Sequence, residues 1–146
     1  MYGNSPMPVK IKRFFLLLVL IQGIHSIEEY KGRLWEVFLP AKFLTSLVSS
    51  NLKTGFLIIN SGLLIFGLWC WFFPVRKNDP SARGFILFWI IIELMNGIGH
   101  LLWALSQWSY EPGLITAPFL FILGVLLIRQ LSNSRSNLQS DLNDEN

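Results

Sequence analysis

Charge is what this sequence lacks most. Only 14 % of its 146 residues are Asp, Glu, Lys or Arg, where a soluble domain carries about 25 %. So few charges cannot cover a globular surface against water, which argues against a soluble fold. Cysteine is nearly absent. Cys70 stands alone inside an apolar run, so there is no disulfide framework and no paired-cysteine metal site, and a buried structural thiol is its expected role. There is no P-loop, no GxGxxG fingerprint and no nucleophile elbow, and the glycines of NGIGH (96–100) read as packing. Ser26 beside His25 does not make a triad. The net charge is only +3, with the basic residues flanking apolar segments, so nucleic acid is not an expected partner. No internal repeat is present.

What the chain has instead is apolar length. Hydrophobic residues make up 52 % and the mean hydropathy is +0.47. The length suits one domain. Four apolar segments, 11–27, 55–73, 84–105 and 114–131, each approach the length needed to cross a ~30 Å hydrocarbon core as a helix. Helices are expected because lipid satisfies no free backbone group. The expected fold is all-α: a four-helix transmembrane bundle over 11–131. Polar ends at 1–10 and 132–146 are expected to be disordered. In the first connecting loop, Leu34 to Val48 is apolar but holds Pro40 and is too short to span. A short interfacial or re-entrant helix is expected there, with Trp35 at headgroup level. The other tryptophans, like Tyr110, read as belt or packing residues.

The placement of Lys and Arg sets the expected orientation. Lys10, Lys12 and Arg13 precede the first segment, Arg76, Lys77 and Arg83 follow the second, and Arg129 and Arg135 follow the fourth. The loop 107–113 has none. The expectation is a multi-pass integral membrane protein with both termini cytoplasmic. Lys10, Lys12 and Arg13 before a short apolar run also describe a signal peptide. No small-x-small cleavage site follows, so a retained helix is expected.

The polar residues inside these segments fall at one level. At ~1.5 Å per residue, His25 lies roughly 18 Å above Arg13 and Asn96 roughly 18 Å above Gly84. Asn60 lies roughly 20 Å above Phe73, and Thr116 is at a similar height over Arg129. His25, Glu28 and Glu29 share a helix face at i, i+3, i+4, as do Glu93, Asn96 and His100 at i, i+3, i+7. A carboxylate at the depth of Glu93 costs about 2.5–3.5 kcal/mol on insertion scales, so it needs a partner or a function. No basic residue lies above Arg129 in the last three segments to pair with it. Gly97 and Gly99 beside it permit close helix approach.

Two segments thus each bring a histidine and an acid to a common depth. Imidazole plus carboxylate suits Zn, Fe or Mn, and His and Glu three apart on facing helices are how di-iron bundles hold metal. The candidate ligands are His25, Glu28, Glu29, Glu93 and His100. Asn60, Asn96 and Thr116 are candidate binding residues. Glu29, Glu111 and Tyr110 are candidate catalytic residues, a free carboxylate serving as general base. In the external loop, Glu111 before Pro112 is pushed toward extended geometry, and Pro112-Gly113 makes a tight turn.

Three motifs occur in order: His25-x-x-Glu28-Glu29, a second histidine at His100, and Tyr110-x-Pro112-Gly113. On this hydropathy pattern the chain resembles the HXXEE family of small membrane proteins over about Phe14 to Leu127. The resemblance implies no assigned activity, only that these polar residues form a site.

Three functions compete. The first is a metal-dependent membrane enzyme, hydrolase or oxidoreductase, acting on an apolar or lipid-like substrate. The second is a proton or ion carrier using Glu93 and the histidines, which at this size needs an oligomer. The third is a structural or partner-binding membrane protein whose His–Glu network holds helices together. Membrane lipid is the expected surrounding in all three.

Overall fold

The computed structural model describes the backbone of residues 6–144 and side chains through 134. Among them the chain is all helical: α1 (Val9–Lys31), α2 (Leu34–Val37), α3 (Leu39–Val48), α4 (Leu52–Cys70), α5 (Ala82–Gln107) and α6 (Ala117–Asp144). Of the ends expected to be disordered, 1–5 and 145–146 lie outside the described residues. Helix begins at Val9 and carries α6 on to Asp144.

Three helical stretches are long and apolar enough to cross a membrane: Leu52–Val75, Ala82–Gln107 and Ala117–Ser134. α1 is as long, but Lys12 and Arg13 below and Glu28, Glu29 and Lys31 above leave only Phe14 to Ile27 free of charge. The helices are apolar outside as well as inside. Leu17, Ile65, Ile91 and Ile122 all face outward, exposed, the pattern of helices surrounded by lipid rather than water.

Local chemistry sets the helix ends. α4 starts earlier than hydropathy implies because the Asn51 side chain accepts from Thr54 N at 3.1 Å and caps it. It continues as a π-helical turn, Trp71–Val75, around Pro74, which cannot continue an α-helical ladder. Asp79 accepts from Ser81 N at 2.9 Å and starts α5. α6 starts later than expected, at Ala117, because 113–116 form a turn with Ala117 N bonded to Gly113 O. The apolar stretch of the first loop is two helices, not one. The break falls at Phe38, which is extended, while Pro40 sits in the first turn of α3, where its missing N–H costs nothing. Trp35 is turned inward rather than outward. It is 4 % exposed, packed 4.9 Å from Phe56 and 5.4 Å from Tyr30, because α2 turns its inner side onto α4. α3 leaves Leu39, Phe43 and Leu47 exposed.

α6 packs along α5 and α1, α4 packs on α1, and α4 touches α5 only slightly. α1 and α5 therefore face each other across the interior. The buried stripe of α1 reads Ile11, Phe15, Leu18, Val19, Gln22, His25, Glu29. That of α5 reads Ala82, Ile86, Trp89, Ile90, Glu93, Gly97, His100. Both run apolar in the lower half and polar in the upper half. The apolar halves form one core with Leu120 and Leu127 of α6. Gly97 lets α6 approach: a Cβ there would meet Phe121 Cβ at 2.9 Å and Ala117 O at 3.1 Å. Gly99 faces open space and plays no such part.

Candidate metal centre

Glu29 stands between two histidines. His100 Nε2 lies 3.2 Å from its Oε1 and forms a hydrogen bond. His25 Nε2 lies 3.2 Å from the same oxygen, off the line a hydrogen bond needs, so this buried nitrogen has no hydrogen-bond partner. The two rings meet edge to face, centroids 4.9 Å apart. All three residues are buried.

The other ring nitrogen of His25 fixes its tautomer. Nδ1 lies 2.6 Å from Thr116 Oγ1. That hydroxyl has one proton, which it gives to Glu28 Oε2 at 2.6 Å. It must therefore accept from His25 Nδ1–H. A neutral His25 then carries its lone pair on Nε2, aimed at the group formed with Glu29 and His100. This is the arrangement of a metal-binding histidine whose second nitrogen is held by an outer hydrogen bond.

Glu28 does not join that group. It turns to the loop before α6 and accepts from Tyr110 Oη at 2.8 Å, Ile115 N at 3.0 Å, and both the backbone N and the hydroxyl of Thr116. Consecutive glutamates thus divide the work. Glu29 enters the core, and Glu28 ties the loop down. Burial, then the carboxylate of Glu28 beside it, pushes the Tyr110 phenol up to about 12. Glu111 accepts from Ser109 Oγ at 2.8 Å and is not part of the group.

Pro112 and Gly113 close the top. Pro112 packs on Gly32, where a Cβ would lie 2.5 Å from the proline ring. Gly113 has φ +95° and lies directly on both imidazoles.

Glu93, expected among the ligands, is fully buried seven residues below His100, about 10 Å along the helix, and is not one of the three residues grouped there. With the Gln22 amide turned so that its nitrogen faces the acid, it donates to Glu93 Oε2 at 2.9 Å. Gln22 was not legible as a site residue by hydropathy, yet it continues the stripe of His25 three residues below it. Asn60 accepts from Ser26 Oγ at 2.8 Å. Asn60 and Asn96 both line a cleft of about 460 Å³ that reaches Glu29 and His100.

His25, Glu29 and His100 could hold a metal ion: each offers one ligand atom, all within 4.8 Å of one another. Bonds of ~2.0–2.2 Å to a tetrahedral ion set neighbouring ligand atoms roughly 3.3–3.6 Å apart, and two of the three separations, from Glu29 to each histidine, are 3.2 Å.

The motif residues are those of a family model described as a protein of unknown function with HXXEE motif, which matches residues 16–128. The chain belongs to the HXXEE family. No curated protein and no solved structure matches it. Within this HXXEE protein the residues that name the motif are His25, Glu28 and Glu29, and two of the three face the metal-compatible group.

Proposed function

We propose that this HXXEE protein is a metal-dependent integral membrane enzyme acting on an apolar or lipid-like substrate. The observation that carries the reading is the His25 Nε2 lone pair. It is buried, has no hydrogen-bond partner, is oriented by Thr116, and faces Glu29 and His100. His25 already has the tautomer a ligand needs. His100 would ligate as a neutral imidazole, through Nε2 only once its proton sits on Nδ1, which is buried and has no hydrogen-bond partner. A bound divalent ion supplies a Lewis acid, or activates water or dioxygen. Two imidazoles with one carboxylate serve both zinc hydrolases and iron oxygenases, so the ion that copurifies selects between hydrolase and oxidoreductase.

The chain's own residues do the rest. Thr116 and Glu28 hold the His25 ring. Pro112 and Gly113 keep water from above. Glu29, as the third ligand, also reaches the cleft, whereas Glu111 and Tyr110 are engaged with Ser109 and Glu28. We place α1 as a fourth span with both termini cytoplasmic, supported by its packing on α4 and α6 and by the Lys/Arg distribution.

The test is metal analysis of the purified full chain. Close to one Zn, Fe or Mn per chain is expected, lost in both His25→Ala and His100→Ala. Metal-free protein that cannot be loaded would remove the reading.

A purely structural His–Glu network is the second reading, favoured by the His100–Glu29 hydrogen bond. It predicts no stoichiometric metal. Proton carriage has less support, since the core below Glu93 is apolar, built of Trp89, Ile86, Leu18 and Phe15, with no polar relay to the inner side among the described residues.

A further inference from the structure

The cleft that reaches Glu29 and His100 has a second end. It runs under α3 and between α4 and α5, which touch only slightly. Leu44 of α3 and Met95 of α5 line it, and these two are 53 % and 70 % exposed. Both sit among outward apolar side chains: Leu39, Phe43 and Leu47 beside Leu44, and Ile91 and Ile98 beside Met95. The mouth therefore opens toward acyl chains, not toward water.

The walls between mouth and centre are mixed in one particular way. Ile59 and Leu63 supply an apolar track, and Gln22, Asn60 and Asn96 supply amides. No Lys or Arg lines the cleft, and its one acid is Glu29. In the metal-free cleft an anionic head would meet the Glu29 carboxylate in low dielectric, with no Lys or Arg in the lining to offset it. Amides offer both donors and acceptors, which suits a hydroxyl or carbonyl. A volume of about 460 Å³ lies at the lower end of ligand pockets, ~300–1,000 Å³. It is room for one alkyl chain or ring system.

We propose that the cleft between α3, α4 and α5 binds an uncharged single-chain lipid bearing a hydroxyl or carbonyl group. The lipid enters sideways between Leu44 and Met95, with its polar end at Asn60, Asn96 and Glu29. This names the substrate class for the metal-centre reading and rests on it only for the direction in which the head points. An ammonium head is disfavoured because the one carboxylate is already engaged by both histidines, which leaves no free anion to replace its lost hydration.

The test uses full-length protein in phosphatidylcholine nanodiscs and three photoreactive probes of equal chain length: a fatty alcohol, a fatty acid and a fatty amine. Crosslinks are mapped by peptide mass spectrometry. The expected result is saturable labelling of the peptides around Leu44 and Met95 by the alcohol, at least fivefold above acid and amine. Unlabelled alcohol should compete, and Asn60→Leu with Asn96→Leu should erase the preference. Equal labelling by all three probes, or labelling spread over the outer helix faces, would overturn it. Because the preference is read on wild-type protein, a misfolded variant does not rescue the idea. Metal content is measured on the same samples. Alcohol-selective labelling without metal retires the metal centre and leaves the cleft standing. Stoichiometric metal with indiscriminate labelling does the reverse.

Discussion

His25 Nδ1 lies 2.6 Å from the Thr116 hydroxyl, 91 residues further along the chain, and that hydroxyl passes its own proton to Glu28. The loop before α6 therefore decides which nitrogen of His25 is free. Thr116→Val keeps the side-chain shape and removes the hydroxyl. Metal affinity is expected to fall about 10–100-fold, the usual effect of losing an outer partner of a ligating histidine, while Thr116→Ser stays near wild type. Competition with a chromophoric chelator measures it. Equal affinity in the Val variant would show that the hydroxyl does not orient the ring.

The adjacent glutamates should separate cleanly. Glu29→Gln removes the oxygen that both imidazoles face, and metal content should drop to background. Glu28→Gln keeps the three ligands but weakens four bonds to the loop. Metal should remain, held more weakly, and stability should fall by about 1–3 kcal/mol, the cost of impaired bonds to a charged acceptor. Elemental analysis and thermal unfolding, run on both variants, distinguish the two roles.

Much of this was legible in the chain. Spacing of three and four put His25 and both glutamates on one side of α1, and the level of the polar residues marked the half of the bundle where the site lies. Spacing could not choose between Glu28 and Glu29, because i+3 and i+4 flank His25 on either side and only the neighbouring helices decide which turns inward. The common level also blurred a real separation, for Glu93 sits two turns below His100. Tyr110-x-Pro112-Gly113 read as a tight turn into α6. That Gly113 would lie on two imidazoles depends on contacts spanning most of the chain, which no local pattern encodes.

Glu93→Gln tests that separation. The amide keeps the shape and loses the charge, and Gln22 and Asn96 remain to bond it. Metal affinity is expected to stay within about twofold of wild type, since the side chain lies about 10 Å along α5 from His100. A loss comparable to Glu29→Gln, measured by the same chelator competition, would bring Glu93 back among the ligands.

Tyr110 gives an alkaline signature. Its phenol is pushed up to about 12 by burial and by Glu28, against an ordinary value of ~10. A raised value means the folded state favours the protonated form. That contribution is complete below about pH 10 and is lost as pH rises toward about 12. Between those values wild-type stability should fall more steeply than that of Tyr110→Phe. Parallel slopes in thermal melts across that range would mean the bond to Glu28 does not couple to folding.

Gly113→Ala is a severe change for a single methyl group. The residue has φ +95°, which strains any L side chain by about 1–3 kcal/mol. The new Cβ would also sit 2.5 Å from His100 Cε1 and 2.8 Å from His25 Cε1. Neither ring can retreat, because His25 is tied to Thr116 and His100 to Glu29. The loop must lift instead, breaking the bonds from Ile115 and Thr116 to Glu28. Loss of metal together with stability is expected, read by elemental analysis and thermal unfolding. Gly32→Ala serves as the comparison: its Cβ would press on Pro112 of the same loop but on neither imidazole, so it should cost stability more than metal. If both variants lost metal equally, the loop as a whole would matter, and the contact of Gly113 with the rings would not.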